Sequence, residues 1–423
     1  MYRLFDSAVS SIVKRGNISV TDPVGVVHQY GDGTGSPVGI KVNSKAAVKL
    51  VADPDLYFGE CYVSGDLEIT EGTIYDVLAV FMNNTRVSNA TFTAAVMHNV
   101  RLALRRFDQY NPIGRSKENV AHHYDLSGKL YDLFLDPDRQ YSCAYFESDK
   151  ASLEEAQLAK KRHISAKLDV EPGMRVLDIG SGWGGLAIYL AEVCGAVVEG
   201  VTLSEEQYTL SRKRIEERGL SDRVTIHLKD YRTLEGKFDR VVSVGMFEHV
   251  GVDHYGEFFE TVSSLLSDSG VALLHSINRS DGPGATNAWI KKYIFPGGYI
   301  PALSEVLPDL ERWGLYVTDV EILRLHYAET LRIWAHRFAA NRDEARALYD
   351  ERFCRMWEYY LAASECAFRF GGMNNFQIQF VKDQEVLPMT RTYMEREEQR
   401  LRSIETRLYS EVPERPKEVD SFG

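Results

Sequence analysis

A chain of 423 residues, 44% hydrophobic and 26% charged, has the composition of a soluble globular protein with room for about two or three domains. Its 49 basic and 61 acidic residues leave a net charge of −12, which gives no electrostatic basis for nucleic-acid binding and argues against a broad polybasic membrane patch. No stretch reaches the roughly 18 apolar residues of a membrane span, and the N-terminus lacks an apolar signal core. The five cysteines (61, 143, 194, 354 and 366) form no C-x-x-C pair and fit reduced thiols in a cytoplasmic protein. The eleven histidines, His122-His123 and His249…His254 among them, offer no zinc motif, so no metal is expected.

From the N-terminus to about residue 105, apolar runs alternate with turn signals such as Gly31-Asp-Gly-Thr-Gly35 and Ser64-Gly-Asp66. The pattern predicts strands over 38–51 and 57–69 and a helix over 74–82. Residues 1–108 therefore read as a small α+β domain whose sequence names no chemistry, and Pro112-Ile-Gly114 looks like the end of a linker. Basic clusters at Arg101/Arg105/Arg106, Lys160-Lys-Arg162 and Lys291-Lys292 are candidates for membrane or phosphate contact against the commoner reading of solvated helix faces.

Residues 115–390 alternate strand and helix patterns. Strands are predicted at Arg175–Ile179, Val197–Thr202, Val224–Leu228, Phe238–Val244 and 270–276, with helices at 186–193 and 205–218 among those between them. Such β-α-β alternation implies a parallel, doubly wound α/β sheet with its ligand beyond the carboxyl ends of the strands. Asp178, Thr202, Asp230, Met246 to Glu248 and His275 all fall at or just past those ends. Residues 391–423 read as a Glu- and Arg-rich solvated helix and a loose tail.

Within this region Val176-Leu-Asp-Ile-Gly-Ser-Gly-Trp-Gly-Gly185 carries the most information. A short apolar strand enters a glycine-rich turn, and a helical stretch follows. Glycines at 180, 182 and 185 satisfy the dinucleotide spacing G-x-G-x-x-G, and Glu199 lies near the place of a ribose-binding acid. Asp178 argues against a dinucleotide, because a carboxylate would face a pyrophosphate across a few ångströms. S-adenosylmethionine (SAM) has no phosphate and carries a sulfonium cation, so the loop favours SAM over NAD.

Other motifs follow in one order. Tyr124-Asp-Leu-Ser127 precedes Gln140-Tyr-Ser-Cys-Ala-Tyr145 and the glycine loop. Then come Gly200-Val-Thr-Leu-Ser204 with Gln207, Lys229-Asp-Tyr-Arg232 and Gly245-Met-Phe-Glu-His-Val-Gly251. Leu274-His-Ser-Ile277, Lys292-Tyr-Ile-Phe-Pro296 and His326-Tyr-Ala-Glu-Thr-Leu331 complete the series. From about Asn119 to Phe380 it closely resembles the cyclopropane-fatty-acyl-phospholipid synthases and, less fully, their relatives that modify mycolic acids. The N-terminal domain resembles that family's lipid-binding domain. The resemblance implies a class I SAM-methyltransferase fold, Rossmann-like and doubly wound, with the smaller α+β domain in front. It also implies transfer of the SAM methyl to a cis double bond of a phospholipid acyl chain.

That reaction sets requirements. An alkene is a weak nucleophile with no proton to lose, so no Ser-His or Cys-His activation is needed. The carbocation would be captured by water, so the pocket should be apolar and dry. Phe247, Trp289, Tyr293, Phe295, Tyr299, Tyr327 and Trp334 could wall it and stabilise a cation, although large aromatics are commonly core residues and about two or three are expected to touch substrate. The family implies bound bicarbonate as the base, and its counterparts here are Glu248, His275 and Tyr327, with Cys143 and Ile277 contributing partly through backbone. Bicarbonate can donate its hydroxyl proton to a carboxylate while accepting from imidazole, phenol and N–H groups. His249 reads as structural.

For SAM, the family's positions carry over to Tyr141, Ser142, Asp178, Gly180, Ser181, Gly182, Gly184, Thr202, Leu203, Gln207, Asp230 and Tyr231. Asp230 could accept a hydrogen bond from the adenine amino group. Ser181 stands where the family often has Cys. Ser364 stands at the position of a C-terminal helical cysteine found in many relatives. Cys366 lies two residues on, about 200° around a helix, and cannot replace it.

A rival reading keeps the site but stops at a methyl-branched or methylene product. An amine N-methyltransferase would need neither the N-terminal domain nor the bicarbonate set. A lipid-binding protein with a degenerate core would not need a complete glycine loop. The acyl substrate implies peripheral attachment to the inner membrane, with 289–300 and the N-terminal domain as the contact, and a homodimer would suit the family.

Overall fold

The computed structural model describes residues 2–85 and 128–409. The basic cluster at 101–106, the linker at 112–114, His122-His123, the Tyr124–Ser127 motif and the tail after 409 lie outside the described residues.

The N-terminal part begins with helix α1 (Tyr2–Ile12) and strands β1 (Ile18–Thr21), β2 (Val27–Tyr30) and β3 (Val38–Val42). Helices α2 (Ser44–Ala52) and α3 (Pro54–Ser64), strand β4 (Leu67–Glu71) and helix α4 (Ile74–Thr85) follow. The four strands form one sheet in the order β2-β1-β3-β4, with β1 and β3 parallel and the other pairs antiparallel.

Both long predicted strands are corrected here. The first stops at Val42, because the Asn43 side chain accepts from the Ala46 N–H at 2.8 Å and caps α2. The second, 57–69, is mostly α3, which starts on Pro54 and ends at Gly65 with φ 78°. The aromatic run Leu56-Tyr-Phe58 imitates a strand. Its helix is stabilised from outside: a Cβ on Gly59 would lie 2.6 Å from both Trp289 Cδ1 and Tyr359 Cε1, so those rings pack directly on its backbone.

The second part opens with α5 (Gly128–Asp132) and α6 (Leu153–Leu168), then alternates β5 (Arg175–Ile179), α7 (Gly185–Glu192), β6 (Val197–Thr202), α8 (Glu205–Glu217), β7 (Val224–Leu228) and β8 (Phe238–Val244). It continues through α9 (Tyr255–Leu265), β9 (Leu266–Arg279), α10 (Ala288–Tyr293), α11 (Leu303–Arg312), β10 (Tyr316–Ile322), α12 (His326–Ala340), α13 (Arg342–Leu348), α14 (Glu351–Phe370), β11 (Met373–Val381) and α15 (Thr392–Tyr409). The sheet order is β10-β11-β9-β8-β5-β6-β7, parallel from β7 to β9 and antiparallel at β11 and β10. The order reverses direction at β5 and β8, which is the switch point where a doubly wound sheet opens a crevice.

Alternate residues serve opposite faces of this sheet. Val176, Val242 and Leu273 belong to one core, and Leu177, Val241 and Leu274 to the other. Four strand predictions coincide with the observed strands. The fifth, 270–276, falls inside a strand running from Leu266 to Arg279, because β11 pairs with it from Val271 to Arg279. His275 is therefore within β9, opposite Val244 at the end of β8, rather than beyond a strand end.

Two further expectations change. The C-terminal helix is not wholly solvated: α15 packs on α6 and buries Tyr393, Met394, Leu401 and Glu405. Lys160-Lys-Arg162 is not a surface patch: all three side chains are buried, Lys161 donating to Asp138 at 2.7 Å and Arg162 pairing with Glu405 and Glu147. Among the described residues no helix is long and apolar enough to cross a membrane.

Candidate active site

Two cavities meet beyond the carboxyl ends of the strands. The smaller, about 160 Å³, follows the glycine loop. Gly180 has φ +85°, and a Cβ there would lie 2.8 Å from the Met246 Cβ. A side chain would be strained and would push the loop off the segment after β8. Gly185 is needed for another reason: its Cβ would fall 2.4 Å from Asp138 Oδ2, so the start of α7 lies directly on the 136–140 segment.

Every residue assigned to SAM from the sequence except Gly184 lines this pocket. Gly184, at φ +80°, caps α7 against Ser211 instead. Asp178 is 2% exposed and its Oδ2 has no hydrogen-bond partner, and burial pushes its pKa up to about 7 while Lys160 pulls the other way. Thr202 Oγ1 donates to Gln207 Oε1 at 2.7 Å, so β6 and α8 present them as a unit. Asp230 is held by both ends of the Arg232 guanidinium, at 2.9 and 2.7 Å, and keeps acceptor capacity beyond those two bonds. Tyr231 packs edge-on to Phe258. Glu199, partly exposed on β6, pairs with Arg175 of β5 and His227 of β7 and does not line the pocket.

Lys160 lines this pocket and was not anticipated. Its ammonium donates to the Ser142 hydroxyl at 2.8 Å, and burial lowers its pKa to about 8. A Lys-Lys-Arg run ordinarily marks a wet helix face. The only contrary sign in the sequence is Gln157, one turn before Lys160, whose amide reaches the Gln140 and Ser142 carbonyls at 3.2 and 3.1 Å.

The larger cavity, about 570 Å³, is predominantly apolar. Tyr141, Ser142, Gly245 and His249 line both, so the two open on each other there. Glu248, His275, Tyr327, Cys143 and Ile277 all line the larger one. Glu248 Oε1 accepts from the Ile277 N–H at 2.6 Å, while Oε2 is buried without a partner. Burial raises the Glu248 pKa, the Ile277 N–H opposing it. His275 is 1% exposed, between Asn375 at 3.4 Å and Gln377 at 3.2 Å, and burial lowers its pKa to about 3. Both contacts run through amide nitrogens, and a neutral imidazole accepts at only one ring nitrogen, so only one of the two amides can donate to it as placed. Burial raises the Cys143 thiol, which keeps it protonated. His249, lowered to about 4 by burial, is likewise neutral.

Of the seven aromatics singled out, Phe295, Tyr299 and Tyr327 line the larger cavity. Trp334 stacks on Tyr141 and Trp289 meets Tyr359 edge-on, so these two support the walls from behind, whereas Phe247 stacks on Tyr255 in the core. Tyr293 donates to Glu60 at 3.0 Å. Ser364 lines the cavity, whereas Cys366 turns its sulfur to the Tyr75 carbonyl, as their helical spacing requires. Sequence reading missed the opposite wall, where Phe5, Val9, Leu78 and Phe81 of the N-terminal part join Tyr359, Tyr360 and Phe368.

Residues 113–378 match the family described as mycolic acid cyclopropane synthetase, and residues 6–91 match a domain of unknown function (DUF7884). The cyclopropane-fatty-acyl-phospholipid synthase of Escherichia coli K12 is 38% identical over 366 residues, covering 82% of this chain and 91% of its own. A probable fatty acid methyltransferase of Pseudomonas putida is 37% identical over 370 residues, covering 84% of this chain and 90% of its own. The crystal structure of mycolic acid cyclopropane synthase CmaA1 complexed with SAH and CTAB superposes with a TM-score of 0.60 at 35% identity, covering 64% of this chain and 99% of that one.

Proposed function

The chain belongs to the mycolic acid cyclopropane synthetase family and is a class I SAM-dependent methyltransferase of lipid modification; from that premise we propose that it converts the cis double bond of an unsaturated phospholipid acyl chain into a cyclopropane. The observation that carries this reading is the junction at Tyr141-Ser142 and Gly245 between a glycine-lined pocket and a large apolar cavity holding Glu248, His275 and Tyr327. A methyl donor on one side can reach an alkene on the other without passing through water.

The residues fit SAM. Gly180 holds the positive φ that seats the loop against Met246, and the buried, unpartnered Oδ2 of Asp178, which lines the pocket, leaves an acceptor for a ligand. SAM supplies the methyl group; the chain orients it with Thr202, Leu203 and Gln207 on one side and Asp230 with Tyr231 on another. In the larger cavity the apolar walls would exclude water, and the rings of Tyr327 and Phe295 could stabilise developing positive charge.

Bicarbonate also fits. The buried Glu248 Oε2 has no partner, and His275 is held neutral, so the site offers an acceptor beside imidazole and phenol groups. Bicarbonate there would supply the base that takes a proton from the transferred methyl. The residues that would hold it are Glu248, His275 and Tyr327, with Cys143 and Ile277 adjoining. Residues 1–108 are proposed as a lipid-binding part, 115–390 as the catalytic part, and 391–423 as the charged C-terminal helix and tail.

Peripheral membrane attachment and a homodimer belong to the same proposal. Lys292 pairs with Glu60 at 2.7 Å yet is half exposed, and replacing Lys291 and Lys292 by Glu should weaken vesicle binding; unchanged binding removes that patch. A second reading, a product left methyl-branched or methylene, is favoured by the fatty acid methyltransferase name of the Pseudomonas putida relative. Mass spectrometry and proton NMR of vesicle lipids incubated with protein and SAM decide between them. A gain of one CH2 with loss of olefinic signals and upfield ring protons establishes the ring. The same gain with an exocyclic methylene signal overturns it, and no gain with SAM bound overturns the lipid substrate.

A further inference from the structure

The larger cavity is not a property of the methyltransferase sheet alone. Helix α1 turns Phe5, Ala8, Val9 and Ile12 into it, the i, i+3, i+4, i+7 face of one helix. Helix α4 adds Leu78, Phe81 and Met82. None of these lines the cofactor pocket, so this wall belongs to the larger cavity alone. They are held there firmly. Helix α4 packs along α14, whose small side chains Ala363, Ser364 and Ala367 also line the space, and Phe58 bridges Phe81 and Tyr359 at ring distances of 5.8 and 6.3 Å.

Two of the polar liners face solvent. Asp55 and Asn287, both exposed, sit on α3 and at the start of α10, two helices that pack on each other. An acyl chain has one end bearing an ester and headgroup, which must stay wet, and one bare methyl end. A wall of buried Phe5, Val9 and Leu78 can accept only the second.

We infer that α1 and α4 form the stop for the methyl end of the acyl chain, so that the N-terminal part selects which chains place their double bond at the junction. This rests on the proposed lipid reading and extends it to chain selection. The wall acts by volume: two extra methylenes either fit beyond the double bond or displace it from the methyl donor.

The test is a competition within one vesicle population carrying palmitoleoyl and oleoyl phospholipids in equal amounts. Their double bonds are equally far from the carboxyl end, and they differ only by two methylenes at the methyl end. The ratio of the two products does not depend on how much enzyme is folded. Ala8→Phe should lower the oleoyl-to-palmitoleoyl product ratio roughly tenfold, and Phe81→Ala should raise it above the wild-type value. A ratio within about twofold of wild type in both variants, with lipid still converted, overturns the inference and leaves the lipid reading standing. Failure of the wild-type protein to convert either lipid sinks both.

Discussion

The glycine-lined pocket and the larger apolar cavity adjoin at Tyr141, Ser142, Gly245 and His249, yet they are assembled in opposite ways. The pocket is made of strand ends and the loops after them, held by backbone geometry and short-range bonds such as Thr202 to Gln207. The cavity draws on side chains from Phe5 to Asn375, none of which is a ligand by its residue type alone. A glycine loop must obey local rules to exist at all, whereas an apolar wall needs only the right volume in the right place. The first kind of site should fail through single backbone changes, and the second through loss of buried polar groups or of shape.

The largest effect expected from breaking this contrast is at Glu248. Glu248→Gln keeps the shape but removes the carboxylate, and should lower lipid conversion by about 10²- to 10⁴-fold while the SAM dissociation constant, read by calorimetry, stays near wild type. Parallel loss of SAM affinity would show that the two cavities are not separable. On the other side, Gly180→Ala imposes a positive φ and a 2.8 Å approach to Met246. It should weaken SAM binding by about 1–3 kcal/mol in the same titration, with the larger cavity unaffected.

His275 gives a pH test. Its folded pKa, about 3, lies below the ordinary histidine value, so between those two values the unfolded chain binds a proton that the folded chain does not. That contribution to stability is therefore lost as pH falls through about 6.5, amounting to roughly 2 kcal/mol by pH 5. Asp178, raised to about 7, acts with the opposite sign, holding a proton in the folded state that the unfolded state releases. Denaturant unfolding of His275→Gln should lose the histidine contribution alone, so that its stability at pH 5 relative to pH 7 lies higher than the wild type's by that amount. An unchanged difference would mean that His275 is not held neutral. The smallest effect is at Cys366→Ala, where conversion should stay within about twofold because the thiol faces Tyr75 rather than the cavity. A large loss would overturn the view that no nucleophilic cysteine takes part.

The methyltransferase sheet was legible because its strands carry buried β-branched residues between helical stretches, as at Val198 and Val201 of β6 and Val241 and Val242 of β8. The N-terminal strands misled because 57–69 carries strand-like aromatics whose helix is decided by Trp289 and Tyr359, far away in sequence. Lys160 misled for a similar reason: α6 is wedged between β9 and α15, and Gln157 is its one local sign.

What the sequence determined by itself was the place of the smaller pocket, because Asp178 and Thr202 lie at the ends of β5 and β6 and Gly180 and Asp230 in the turns after β5 and β7. Tertiary structure alone decided that Glu248 Oε2 is left unpaired, that His275 is pinned between two amides of β11, and that α1 and α4 close the cavity. Each of these depends on which distant surfaces are brought together and dried. Desolvation and packing are properties of the assembled interior, and no window of sequence contains them.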